Sequence, residues 1–445
     1  MTEQDSQARF DVIVARAQAG NAEAQYALGM ILTRKNLTQA FAWMQKSADA
    51  GYGQALFMLG IWYGEAALVT QQPDKSYQYL QKASEAGFGP ADYILATALA
   101  KGAGTIPDWA GAVSIMIRLA KKGEAKALSQ LAFLTMMVPG GAGKEDADTL
   151  LMAAANVGDP IAQYALARRL LGADRPDQDK DQGKALLRLA AKSERHVLAG
   201  EDPLIKELET GEYVAKPFEA KPNWEKISDL LRALPIPDLA PRHDFETNPL
   251  IGLIPGFLSE EEADFVVAAA APTMRPSQVV DHIQGKLVHR EYRTSSEMRF
   301  LLGTEDLVIH AINARISKVT DEPITHQEYQ GVLRYERGQE YKPHSDYFLP
   351  DLDGANPEVE RAGQRIKTFL IYLNEGYQGG ETEFIKLGLK IKGRKGDGAM
   401  FINVASDGSP HSMSLHAGLP VTEGVKWLST LWIRDRDYTP PPVPG

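Results

Sequence analysis

Five glycines set the terms for the first half of this chain. Gly20, Gly51, Gly87, Gly123 and Gly158 recur at intervals of 31, 36, 36 and 35 residues. Each belongs to a variant of one phrase: "AGNAEAQYALG", "AGYGQALFMLG", "AGFGPADYILA", "KGEAKALSQLA", "VGDPIAQYALA". A fixed period in this range marks a stacked-repeat architecture, because one helix pair cannot bury its own apolar face and needs neighbours to do so.

Within each unit apolar residues fall at helical spacing, as at Ala24, Leu28 and Ile31, and a second amphipathic stretch follows, such as "QAFAWMQKSADAG". Small residues at the phrase start let two helices approach closely, and the glycine stops the second helix in a left-handed turn. The pattern predicts an all-α solenoid over residues 19 to about 196, with Tyr26, Phe57, Tyr93 and Tyr164 as core residues. Between about 205 and 246 proline and charge increase, and "WEKISDLLRAL" reads as one helix between extended proline-rich flanks. Trp224 and the leucines there predict a packed connector.

Composition narrows the function classes. A hydrophobic share of 44% and a charged share of 24% describe globular domains, not disorder. A net charge of -10 argues against general nucleic-acid binding, which needs a positive face to displace counterions. With no cysteine there is no disulfide, thiolate metal site or cysteine nucleophile, so any metal ligands are imidazole or carboxylate. The start "MTEQDSQARF" lacks the basic and apolar regions of a signal peptide, and no apolar run reaches the roughly 18 residues of a membrane helix. A cytoplasmic address and no membrane association are expected.

After residue 248 the pattern changes. "SEEEADFVVAAAA" opens on Ser259 with Glu262 three residues on, a capping-box signature, and "TEDLVIHAINARISKVT" predicts a second helix. Seven short β-rich runs punctuated by glycine turns follow, from "HQEYQGVLRYE" to "VKWLSTLWIRD", which predicts a closed double-sheet or jelly-roll domain. The boundaries expected are 1–200 for the repeats, 201–247 for the linker and 248–445 for the β-rich domain. In "EYKPHSDYF", His344 and Asp346 are two apart on a strand and face the same way. Such a pair is also compatible with a surface contact or a satisfied core histidine. A third ligand has two downstream candidates, His411 and His416. Two imidazoles and a carboxylate on one face of an octahedral metal leave the opposite positions open, the arrangement of non-haem Fe(II) oxygenases. Histidines 196, 243, 282, 289, 310 and 326 have no ligand partner at useful spacing.

Two family resemblances follow from these residues. The repeat phrases resemble Sel-1-like repeats, relatives of the tetratricopeptide repeats, whose members act as protein-binding scaffolds. "RYERGQEYKPHSDYF", "KTFLIYLNEGYQGGETEF", "GRKGDGAMFINV" and "SLHAGLPVTEGVKWLSTLWIRD", preceded by "GFLSEEEADFVVAAAAP" and "YRTSS", resemble the 2-oxoglutarate and Fe(II)-dependent dioxygenases of the prolyl 4-hydroxylase type. That resemblance implies a double-stranded β-helix, with flanking helices, behind the solenoid. It makes His344, Asp346 and His416 the iron ligands, and His416 is preferred to His411 because "SLHAGLPV" carries the family phrase. Lys426, ten residues after His416, falls where the family places the cation for the distal carboxylate of 2-oxoglutarate. A buried dicarboxylate needs such a charge.

The resemblance also puts Tyr335 in the cosubstrate pocket. Thr368 and Tyr372, four apart on one strand face, become its candidate wall, although a sheet-core pair is the plain alternative. Gly379 and Gly380 supply a tight bend beside Glu381 and Thr382, which are placed to orient neighbouring groups. Arg293 reads as a substrate contact or a surface ion pair, and the basic run from Lys386 to Lys395 as a solvated face. The implied reaction is C–H hydroxylation, with Fe(II), 2-oxoglutarate and O2 required and ascorbate as reductant. The implied substrate is a prolyl residue in a protein or peptide, held in part by the repeats. Alternatives are hydroxylation of a free amino acid or other small molecule, and a scaffold with an inactive oxygenase domain. Zinc hydrolysis ranks last, since no His-Glu-x-x-His helix motif is present.

Overall fold

All five repeat glycines adopt left-handed backbone, with φ between +78° and +89°. The computed structural model describes every residue except 1–2, 66–70, 194–195, 209–210, 212, 278, 282–285, 289–291, 350–355, 406 and 441–445. A Cβ added at any of the five would meet nothing within 4 Å, so the requirement is conformational and not steric. Left-handed backbone costs an L-residue about 1–2 kcal/mol. Gly123→Ala is therefore expected to lower unfolding stability by that amount, seen as a lower denaturant midpoint at unchanged slope.

Helix α1 (Glu3–Gln18) leads into five helix pairs: α2 (Ala22–Leu32) with α3 (Leu37–Asp49), α4 (Gly53–Glu65) with α5 (Pro73–Glu85), α6 (Pro90–Lys101) with α7 (Trp109–Lys121), α8 (Ala125–Met136) with α9 (Lys144–Asn156), and α10 (Pro160–Leu170) with α11 (Asp177–Ala191). Side chains of Asn21, Asn36, Asp108 and Asp159 cap α2, α3, α7 and α10 by accepting from backbone amides in the first turn. Fully buried alanines, among them Ala40, Ala55, Ala91, Ala127 and Ala162, permit the close packing that the phrase predicts.

The β-rich domain contains β1 (His243–Thr247), β2 (Leu250–Ile254), helix α12 (Glu260–Ala270), β3 (Arg275–Pro276), β4 (Ser296–Arg299), helix α13 (Leu307–Thr320), β5 (Gly331–Tyr335), β6 (Tyr341–His344), β7 (Arg365–Tyr372), β8 (Thr382–Phe384), β9 (Leu389–Ile391), β10 (Gly398–Ile402), β11 (His416–Gly418) and β12 (Lys426–Arg434). The large sheet runs β1-β2-β10-β7-β12-β5-β4-β3, and a smaller one runs β9-β8-β11-β6. Tyr335, Leu370, Tyr372, Phe401 and Leu428 of the large sheet pack against Phe384 and Ile391 of the small one, which gives the predicted double-sheet arrangement. Strand β1 lies in the stretch expected to be connector. It pairs with β2 and so belongs to the sheet.

The other face of the large sheet carries α12 and α13. Their capping and packing meet in one ion pair: Glu262, which completes the predicted capping box with Ser259, also accepts from the two terminal guanidinium nitrogens of buried Arg315, at 2.7 and 3.0 Å. Behind these helices sits the solenoid, with α6, α8 and α10 against them. A single apolar core runs through the layers, from Leu131 and Phe133 across Phe265 and Ile312 to Phe369 and Ile433. Phe133 and Phe265 have ring centroids 4.7 Å apart, Leu302 inserts beside Leu80 and Leu95, and Lys101 pairs with buried Glu305. The connector is packed as predicted. Its helix is shorter than the sequence suggests, Trp224–Leu230, with Ile227 and Leu231 fully buried and the Trp109 indole donating to Leu231 O at 2.9 Å.

Candidate active site

Sheet register brings the distant histidine to the near pair. Strands β6 and β11 are antiparallel neighbours in which His416 lies directly opposite His344. Asp346 follows β6 by two residues. The Nε2 atoms of His344 and His416 each stand 3.7 Å from the Asp346 carboxylate, and one ligand atom from each of the three residues lies within 4.8 Å of the others. Among the described residues this is the one such cluster. His411 is elsewhere, its Nε2 3.0 Å from Asn248 Oδ1. His282 and His289 lie outside the described residues. Of the remaining histidines, His196 caps a short helix and His310 stacks on Trp109.

Backbone carbonyls set the tautomers. Nδ1 of His344 lies 2.8 Å from Lys342 O, and Nδ1 of His416 lies 2.9 Å from Ser414 O. A carbonyl only accepts, so both Nδ1 atoms carry the proton and both Nε2 lone pairs are left to face Asp346. Burial, then His416, push His344 down to about 3, so its ring is neutral. For Asp346 burial favours the neutral acid, but His416, the Thr368 hydroxyl and Arg365 outweigh it and hold the carboxyl below its ordinary value.

Thr368 stands behind the carboxylate instead of forming a cosubstrate wall. Its hydroxyl donates to Asp346 Oδ2 at 2.7 Å and accepts from Asn403 Nδ2 at 2.9 Å. Both of those hydrogen bonds are inside the protein, which fixes the carboxylate's orientation. Removing a group that orients a ligand typically costs 10–100-fold, so Thr368→Val is expected to lower turnover and metal affinity by about that factor, with a stability loss of about 1–3 kcal/mol from the buried Asn403 amide it leaves unpaired. Tyr372, on the same face, has its hydroxyl near Ile391 O (3.3 Å) and its ring 5.9 Å from the Lys426 ammonium.

Lys426 is 2% exposed, opposite Tyr335 in the β12–β5 register. Its Nζ donates to Gly380 O at 2.7 Å, and no carboxylate comes within ion-pair distance of it among the described residues. Burial pulls it down to about 8 despite Glu381 nearby. The bend that accepts its hydrogen bond is the predicted one: Gly379 and Gly380 both have φ +69°, and a Cβ on Gly380 would press on the Lys426 side chain at 3.2 Å. One cleft joins Lys426 to the His–Asp–His cluster, walled by Tyr335, Leu370 and Thr382.

Arg293 is not at the surface. It is 4% exposed, lines the cleft, pairs with Glu297 at 3.2 Å and lies 5.1 Å from the Tyr341 ring, with its Nε buried and unbonded. Two further wall residues escaped the sequence reading. Thr430 and Trp432 share the cleft with Lys426 and Leu428, and the period-two alternation of "KWLSTLWIR" counted from Lys426 was the signal for them. Arg365, stacked 3.6 Å from the Trp432 ring and bonded to buried Glu328 together with Arg434, carried no local signal. The basic run is mostly solvated as expected, apart from Lys395, which pairs with Asp264 at 2.7 Å.

Residues 330–434 match the 2OG-Fe(II) oxygenase superfamily, and residues 22–52, 53–88 and 160–194 match the Sel1 repeat. The double sheet with its His–Asp–His cluster thus falls in the 2OG-Fe(II) oxygenase superfamily. Prolyl 4-hydroxylase 1 of Arabidopsis thaliana is 38% identical over 204 residues, covering 42% of this chain and 70% of that protein. Probable prolyl 4-hydroxylase 7 of the same plant is 37% identical over 208 residues, 43% of this chain and 64% of that protein, just under two thirds of its length. A solved viral collagen prolyl hydroxylase from Paramecium Bursaria Chlorella virus-1, in its 2OG complex, is 31% identical over 41% of this chain and 95% of its own, with a TM-score of 0.33. The chain belongs to the prolyl 4-hydroxylase family, with Sel1 repeats joined to the family domain.

Proposed function

We propose that this protein is an Fe(II)- and 2-oxoglutarate-dependent hydroxylase of prolyl residues in a peptide or protein. One observation carries the reading: a buried ammonium with no carboxylate partner among the described residues faces the cleft in which two imidazoles and a carboxylate converge. Two imidazole Nε2 donors and one ionised carboxylate fit Fe(II), which His344, Asp346 and His416 would hold together. Iron together with 2-oxoglutarate supplies the oxidising power for C–H hydroxylation, with ascorbate as the external reductant.

The residues themselves do the rest. The carbonyls of Lys342 and Ser414 hold the protons that free both Nε2 atoms, and Thr368 keeps the Asp346 oxygens aimed. Lys426 compensates the distal carboxylate of the cosubstrate, with Tyr335 and Thr382 as wall groups beside it. Leu333, Leu370 and Leu428 line the same cleft and exclude water, which strengthens the charge pairing inside it. The prolyl substrate is supported by the relatives' names, and the repeats serve as partner-holding surface. The side bearing α6, α8 and α10 is covered by α12 and α13, so a partner uses another face.

The test is aerobic incubation with Fe(II), ascorbate and 2-oxoglutarate, measuring succinate with proline-containing peptides and with free amino acids. Succinate coupled to one added oxygen on a peptide prolyl is the expected result. Turnover on free amino acids alone overturns the peptide assignment. A protein that forms no charge-transfer band with anaerobic Fe(II) and 2-oxoglutarate, and releases no succinate, is a scaffold instead.

A further inference from the structure

The connector lies on the solenoid as a peptide lies on a receptor. Gln182 on α11 donates through Nε2 to Lys216 O at 2.6 Å and accepts at Oε1 from Lys216 N at 2.9 Å. Asn156, the last residue of α9, makes the same pair of bonds to Phe218, both at 2.9 Å. Two side-chain amides therefore each take both backbone groups of one residue, and the two residues are two apart. In an extended chain such residues present their backbone to the same side.

Side chains alternate inward and outward from Tyr213 to Lys216, and the pattern shifts by one at Pro217, so that Phe218 turns inward. Tyr213, Ala215 and Phe218 pack against the solenoid core, while Val214 is 80% exposed and Lys216 and Pro217 face solvent. The Lys184 ammonium sits 5.1 Å from the Tyr213 ring, and the Arg188 guanidinium donates to Gly211 O. Pro217 lies between the two clamped residues, where its missing N–H deprives no partner and its fixed φ holds the segment extended. From α11 to α9 and on to α7, where the connector's helix packs, the chain crosses the second helices of successive pairs.

A tether between two domains needs length, not backbone readers. An amide that satisfies both the N–H and the C=O of a residue recognises extended main chain whatever its side chain, so the pair Asn156 and Gln182 accepts any segment of this geometry. We propose that the second-helix side of the last two repeat pairs is a binding track for extended, proline-containing polypeptide, and that residues 213–218 occupy it as a tethered stand-in. A free peptide must then compete against an effective concentration of millimolar order. The proposal stands independently of the catalytic reading, because its test is binding.

The probe is a fluorescent synthetic peptide with the sequence of residues 211–223, titrated into full-length protein. Tyr213→Ser with Phe218→Ser removes the two aromatic anchors of the tethered segment and leaves the clamps in place. This double variant is expected to bind the peptide at least tenfold more tightly than the unaltered chain, and adding Asn156→Ala and Gln182→Ala is expected to erase that gain. Equal binding by all three proteins overturns the proposal. Hydrogen exchange on the unaltered protein gives a second reading that no folding defect can obscure: the Lys216 and Phe218 amides should be protected and that of Val214 not. Exchange at all three at one fast rate overturns it as well.

Discussion

Alanine at His416 or at Asp346 is expected to abolish 2-oxoglutarate turnover, with a loss well above 100-fold. The scale follows from what lies one layer out. Groups that merely orient a metal ligand are worth 10–100-fold, and Thr368 is such a group here, so a donor itself must exceed that range. His416 contributes its Nε2 because β11 pairs with β6 in a register that sets it opposite His344, and no other described histidine stands near enough to replace it. Asp346→Asn is the sharper variant, since it keeps the volume and the Thr368 contact while removing the charge. Iron content by elemental analysis and succinate release should fall together in all of these. A His416→Ala protein that retains iron and turns over within tenfold of the unaltered enzyme removes residue 416 from the ligand set.

How far the sequence could be read depended on how local each signal was. The glycine period predicted the turns because a left-handed residue is a demand on one position, and Ser259 with Glu262 predicted a helix start because both partners lie within one turn. His344 and Asp346 were visible as a pair two apart, although the strand ends at His344 and Asp346 lies just beyond it. His416 needed register, which no stretch of sequence states, and the family phrase chose it over His411. The role of Thr368 was invisible for a related reason: its neighbour Asp346 is on another element, and nothing in "KTFLIY" says which carboxylate its hydroxyl will meet. Arg293 read as a substrate contact or a surface ion pair, yet the fold buries its guanidinium over the Tyr341 ring, with Glu297 as its ion-pair partner. The cluster of Glu328 with Arg365 and Arg434 joins three distant segments and is wholly tertiary. Least legible was the relation of the two halves. Apolar positions on α6, α8 and α10 read as solenoid core, and their share in a core continuous with Phe265 and Ile312 appears only once the domains are together.

Lys426→Met is expected to raise the Kd for 2-oxoglutarate at least a hundredfold. Removing one member of a buried, compensating charge pair costs about 3–5 kcal/mol, because the partner is left uncompensated, and each 1.4 kcal/mol is tenfold in affinity. The same residue predicts a pH dependence. In the free protein burial lowers the Lys426 pKa to about 8, with Glu381 opposing the shift, Lys392 reinforcing it, and the rings of Tyr335 and Tyr372 alongside. The dicarboxylate binds the ammonium form. Affinity should therefore be flat below about pH 8 and weaken about tenfold per unit above it, since each binding event must then first restore the proton. Lys426→Arg holds its charge throughout that range and should show a flat profile, whatever its absolute affinity. Calorimetric titration of the Fe(II) protein under anaerobic conditions from pH 6.5 to 9.5 reads both effects without turnover. A wild-type profile that stays level to pH 9.5, or a methionine variant that binds within threefold, would mean that the distal carboxylate is held by another group.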